Sequence, residues 1–380
     1  MPNTVFHRDG DVINVWGGYR GLTSRFYGNQ YNGTTFKKVL NDLGNAEWAS
    51  KDLDTAKPML MINQYAGSTT PYTGGSADDV IINIQDNASI HGEGGNDTIV
   101  NFCKTVGTLD GGDGNDAIYS VGLTSGTIKA VSGTEDGYIK IVNNMAGGTI
   151  ELGSGRSVLD AAGRTLNNVD IIEGAGARST ALIAKKVIGK NLSFAAEQVA
   201  IDLQTVDVNI TLGTGANSFV ANTVKDAVIT SGGVDSFQFK TLNNATIRAA
   251  GSSVINITNK AKDSTFDLST GANTINAARR VLTSVSISDK AGASTAVIAK
   301  AIIGKADAQS TVNLKGSEEG SGVSVSGGVN QASIGTGTGA GTLEAGTIRN
   351  TVITMGGLGT FAQSVVLKGD QQHPDRGRRQ

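Results

Sequence analysis

The sequence predicts an all-β protein: a right-handed parallel β-roll or β-solenoid with about 18–21 residues per coil and a small N-terminal head. Three observations carry this. Glycine supplies 52 of the 380 residues and proline only 4. Short strands of period-two alternation recur, each running into a turn of glycine and small polar residues. Those turns return at a nearly fixed step.

Composition bounds the core. Aromatics are 5% of the chain and hydrophobic residues 38%. That is too few large side chains for a compact α/β enzyme of this length, but enough for a thin core filled layer by layer with Val, Ile, Leu and Ala. The net charge of −2 gives no reason to expect a nucleic-acid partner. No apolar run is long enough to predict a transmembrane helix. Cys103, the single cysteine, permits neither an intrachain disulfide nor a thiolate cluster and reads as a small buried hydrophobe.

The head is set apart by residue type. Ten of the 19 aromatics lie before residue 73, and no proline falls between Thr73 and His373. The expected organisation is a head over 1–72, with a short helix over Thr35–Lys51, and a glycine-rich roll over 73–140. A degenerate solenoid comes next over 141–365, then a disordered basic tail over 366–380.

The repeat is seen in units such as Val208–Val220, Ala245–Ile257 and Thr265–Ile275. Alternation predicts that Ile210, Leu212, Phe219, Ile247, Ile255, Ile257, Phe266, Leu268 and Ile275 point inward. Comparable turn positions fall at Asp79, Asp97, Asp116, Asp136 and Ser157, and again at Asn217, Asp235, Ser253 and Asn273.

Three consecutive turns carry chemistry: Gly74-Gly-Ser-Ala-Asp-Asp79, Gly92-Glu-Gly-Gly-Asn-Asp97 and Gly111-Gly-Asp-Gly-Asn-Asp116. Glycines allow the left-handed backbone of a tight turn, which aims carbonyls at one point. Calcium takes six to eight oxygen ligands at about 2.3–2.6 Å and tolerates irregular geometry. Asp79 and Asp97 are 18 residues apart, and Asp97 and Asp116 are 19. One coil therefore separates neighbours, and the carboxylates should share an edge. Like charges so close repel, and a divalent cation between coils reverses the sign of that interaction.

The third turn, with the first residues of its strand, matches Gly-Gly-x-Gly-x-Asp-x-(large apolar)-x, and the first two match it nearly. The chain here resembles the repeats-in-toxin (hemolysin-type) calcium-binding family. The resemblance implies Ca2+ between successive turns, with Asp79, Asp97 and Asp116 as carboxylate ligands. It implies carbonyl or turn roles for Gly92, Gly94, Gly111, Asp113 and Gly114, with Asp78, Asn96 and Asn115 as secondary candidates. Ala77 and Glu93 depart from the pattern, and each is expected to force a side chain into a glycine conformation.

The resemblance also implies a secreted or cell-surface protein of structural or adhesin-like role, with extracellular polysaccharide or cell-surface components as partners. Neither end supplies a familiar export signal: Met1–Gly10 lacks a basic-then-apolar pattern, and the tail is basic. The alternative is a carbohydrate-active β-helix enzyme, a lyase or epimerase, or its accessory module. No catalytic residues are assigned: His7, His91 and His373 are scattered, and the coils carry few aromatics for stacking sugars. The pairs Lys185-Lys186 and Arg279-Arg280 are expected at strand ends, guarding an edge.

Overall fold

The computed structural model describes residues 4–9, 12–16, 48–49, 59–63, 71–131, 133–305, 307–315, 321–336, 341–354 and 364–367. All regular structure among them is β, and the architecture is a parallel β-solenoid of about 14 turns. The chain divides into two compact units, Met1–Glu197 and Gln198–Gln380.

In the first unit, one parallel ladder runs through Met59–Asn63, Val80–Asn83, Thr98–Asn101, Ala117–Ser120, Gly137–Ile141, Arg156–Asn167 and Ser179–Ile188. The other runs through Tyr72–Thr73, Ile90–His91, Thr105–Asp110, Ser125–Lys129, Thr149–Leu152 and Asp170–Glu173. The ladder thus begins inside the stretch that composition marks as head. There Met59–Asn63 is bounded by an antiparallel strand, Thr4–Asp9, which also pairs with Val12–Trp16. An edge paired antiparallel no longer offers open backbone groups to another chain. Of the expected helix over Thr35–Lys51, Trp48–Ala49 is a strand and the remainder lies outside the described residues.

Each ladder buries one residue type per level. Ile81, Ile99, Ile118, Ile139, Leu159 and Leu182 stack in register and are fully buried. In the second unit the row is Ile201, Phe219, Phe237, Ile255, Ile275, Val297, Val323 and Leu343. Phe219, Phe237 and Phe239 pack ring against ring at 5.7–6.4 Å. The nine residues that alternation turns inward are all buried. Cys103 is buried too, and desolvation pushes its thiol up to about 12.

Two features are not legible from hydropathy and glycine content. Asn63, Asn83, Asn101 and Ser120 form a buried polar ladder four residues beyond the turn acids. Each amide donates to the next level, at 3.1, 2.8 and 2.9 Å. The corners between ladders hold Asn168, Asp226, Asn244, Asp263 and Asn350 at φ of 47–53°. Asn and Asp tolerate this left-handed region better than other side chains, and here they replace the glycines one would look for.

Registry corrects one alignment. Ala117 pairs with Tyr138, and Gly137 with Ser157. Gly137, not Asp136, therefore stands above Asp116, and the row of acids ends there.

Asn83→Ala is expected to leave the Asn63 and Asn101 side chains without their shared partner and to cost ~1–3 kcal/mol. Phe237→Ala should cost about 3–5 kcal/mol. Urea unfolding midpoints at constant m-value check both.

Candidate metal centre

Asp79, Asp97 and Asp116 occupy one edge of the first unit, just before the strands Val80–Asn83, Thr98–Asn101 and Ala117–Ser120. They are 1, 1 and 2% exposed. Their burial comes from the turn: the glycine-rich loop folds over the side chain while the residue two places on enters the core.

The three are joined through backbone. The Asp79 N–H donates to Asp97 Oδ1 at 2.7 Å, and the Asp97 N–H donates to Asp116 Oδ1 at 2.7 Å. Asp79 Oδ2 accepts from the Gly75 N–H at 2.7 Å. The other two Oδ2 atoms differ: Asp97 Oδ2 and Asp116 Oδ2 are buried with no hydrogen-bond partner among the described residues. An unsatisfied buried carboxylate oxygen is costly, and native interiors rarely tolerate one without an ion, a water or a proton.

Backbone oxygens converge on the same place. A Cβ built on Gly92 would lie under 3.0 Å from both Asp97 Oδ2 and the Gly111 carbonyl oxygen. On Gly111 it would meet Asp116 Oδ2 and the Ala130 carbonyl, and on Gly74, Asp79 Oδ2 and the Gly92 carbonyl. Each level thus sets a carboxylate oxygen of one coil beside a carbonyl oxygen of the next. Glycine keeps this cradle open, since any side chain there would fill it. Among the described residues no three His, Cys, Asp or Glu side chains converge. A cation here would be held by carboxylate oxygens from successive levels together with carbonyls, a donor set suited to a hard ion.

The remaining sequence candidates are elsewhere in the turn. Asn96 and Asn115 stand on an exposed outer ladder in which Asp78 Oδ1 accepts from the Asn96 N–H at 2.6 Å. Asn96 Oδ1 then accepts from the Asn115 N–H at 2.9 Å, and Asn115 Oδ1 from the Asp136 N–H at 2.9 Å. This ladder runs opposite to the inner one, and Asp136 belongs to it. Gly94 and Asp113 form a parallel bridge across adjacent turns, and Asp113 is exposed. Gly114, at φ 132°, lies so close over Gly95 that a Cβ would collide with its carbonyl. Glu93 does take a glycine conformation, φ 76°, matching Gly112 at 99°. Ala77 does not: it keeps negative φ, so the strain expected there is absent.

Burial, more than mutual repulsion, dominates the electrostatics. Asp97 is raised from 3.8 to about 7, first by desolvation, against the lowering hydrogen bond from Asp79, with the Asp116 and Asp79 charges adding. Asp116 is raised to about 6, again first by desolvation.

Asp235 is the internal comparison. It holds the equivalent position in the second unit and is 4% exposed, but its carboxylate is fully served. Asn217 Nδ2 donates at 2.8 Å, Ser231 Oγ at 2.8 Å and Ser253 Oγ at 3.3 Å. Where the neighbours are Asn and Ser, side-chain donors satisfy the carboxylate oxygens. Where they are Asp, none is available.

These shifts set the sign of the pH dependence. The folded carboxyls of Asp97 and Asp116 hold protons more tightly than unfolded ones. Their contribution to metal-free stability is therefore full below about pH 4 and lost as pH rises towards about 7. Melting temperature in EGTA should fall across that window. The Asp97→Asn/Asp116→Asn variant should flatten the fall, and an unchanged slope would assign it to other groups.

No family model matches the chain, and no curated protein matches it. Among solved structures, it is similar to the X-ray crystal structure of a hyperactive, Ca2+-dependent, β-helical antifreeze protein from an Antarctic bacterium. The identity is 15%, over 77% of this chain and 79% of that one, with a TM-score of 0.31. At that level the likeness carries no functional argument.

Proposed function

We propose that the chain is a calcium-binding repeat protein of the secreted or cell-surface kind, structural rather than catalytic, whose first coils are locked by Ca2+ between stacked turns. The observation that supports this is the pair of buried oxygens, Asp97 Oδ2 and Asp116 Oδ2, without partners and beside the Gly111 and Ala130 carbonyls. A proton on each would answer the same need only at acidic pH. At neutral pH and above, a hard cation answers it with the carboxylates ionised.

Calcium would here be a folding ligand. Binding to the native stack alone stabilises it by RT ln(1 + [Ca]/Kd), ~3 kcal/mol per site at a hundredfold excess over Kd. From Ser157 on, the acid position holds Thr180, Val199, Asn217, Ser253, Asn273 and Thr295, and Asp235 there is surrounded by Asn and Ser donors, so the stacked acids are not repeated.

Thermal melts followed by β-sheet circular dichroism, with calcium and with EGTA at pH 7.5, test the reading. The native chain should melt higher in calcium. Asp97→Asn/Asp116→Asn should lose that difference while melting above the calcium-free native chain, since the amides can donate where the acids cannot. A melting point indifferent to calcium in the native chain would refute the reading. Gly92→Ala should also abolish the calcium response, because its methyl group would occupy the cradle.

A further inference from the structure

The second unit carries a basic row that enters no ion pair among the described residues. Where its longer strands turn a corner, Lys240, Lys260, Arg279, Arg280 and Lys300 stand on four successive coils. All five are exposed. The register keeps them within two positions of each other: Lys260 pairs with Thr241 and Val281, the residues that follow Lys240 and Arg280, and Ala301, which follows Lys300, pairs with Val281. Adjacent coils lie about 4.8 Å apart, so the charges form a narrow file along the stack, doubled at Arg279 and Arg280. Asp202 and Glu344, the acids of the adjoining row, stand at its two ends and not between the bases. Among the described residues, the second unit's lysine ion pairs join Lys225, Lys262 and Lys305 to Asp226 and Asp263, and involve none of these five.

Neither arginine is at a strand end. Both lie within Ala272–Thr283, which is paired on both sides, so they guard no edge. They sit in a bulge where residues 278–280 face Lys300 alone. Arg279 there has φ 64°. The first unit has the same bulge in Arg156–Asn167, with the same burial pattern, and at the matching position it has Gly163, φ 73°. Glycine takes that conformation freely and arginine takes it against its Cβ. A strained residue with its charge turned outward is a mark of a surface selected for something other than folding.

We propose that this file binds a linear acidic polysaccharide lying along the stack, its carboxylates meeting the basic side chains coil by coil. The strip is three register positions wide and runs parallel to the stacking axis over four coils, which fits an extended polymer better than a planar lipid surface. It has no stacking platform: Phe219, Phe237, Phe239 and Phe266 are all buried, so unpaired bases would find charge but no ring. An extended uronate chain advances by about one coil rise per sugar and presents repeated carboxylates without needing rings. The inference is independent of the calcium reading, since the second unit lacks the stacked turn acids Asp79, Asp97 and Asp116.

The test uses the full chain and polyglucuronate, with neutral dextran, oligo-dT and phosphatidylserine vesicles as comparisons, at physiological ionic strength. The native chain should bind polyglucuronate above all three. Arg279→Gly/Arg280→Ser/Lys300→Ser should bind about tenfold or more weakly, as expected of several exposed charge pairs lost together. Arg279→Gly alone should weaken binding while its melting temperature stays level or rises, because the strain is relieved. Binding that ignores these substitutions, or is absent, overturns the proposal. Tighter binding to oligo-dT or to vesicles replaces its ligand. A fall in melting temperature on Arg279→Gly would return Arg279 to a structural role and overturn the strain argument.

Discussion

A buried carboxylate has two oxygens, and the inner edge of the first unit satisfies only one of them. Oδ1 of Asp97 and of Asp116 each takes a backbone N–H from the coil before, which fixes the register of successive turns. Oδ2 of each is left facing carbonyls. The first half of this arrangement builds the stack, and the second makes it depend on something the chain does not contain. Elsewhere the protein solves the same problem internally, with Asn217, Ser231 and Ser253 around Asp235.

Much of this is legible in the sequence because a solenoid is locally determined. Each coil contacts its neighbours, so a period of 18–21 residues, alternation within strands and glycine within turns suffice to place Ile81, Ile99 and Ile118 in the core and the three acids on one edge. The illegible parts have physical reasons. The Asn63–Asn83–Asn101 ladder is polar at inward positions, which hydropathy reads as outward. Asp136 looks like the fourth acid of the row until registry shows a coil of 21 residues, a one-residue slip that sends it to the exposed ladder. Ala77 and Glu93 both replace glycine, but only one of the two positions needs positive φ in its own turn.

Spacing also gives the wrong order of causes behind the raised acids. It shows that charges come close, whereas depth of burial, which only the folded turn reveals, contributes more to the shift at Asp97 and Asp116. The distinction matters for mechanism. Repulsion alone would be relieved by removing one acid. Desolvation persists for every acid left in the edge, and only a donor, a proton or a cation removes it.

The most direct measurement of the central claim is a crystal structure grown in calcium at neutral pH, with anomalous difference density collected at long wavelength. Cation peaks are expected between successive turns, with Asp97 Oδ2 and Asp116 Oδ2 at about 2.3–2.6 Å from the metal together with turn carbonyls. An edge without such peaks, with both Oδ2 atoms hydrogen-bonded to ordered water, would contradict the claim.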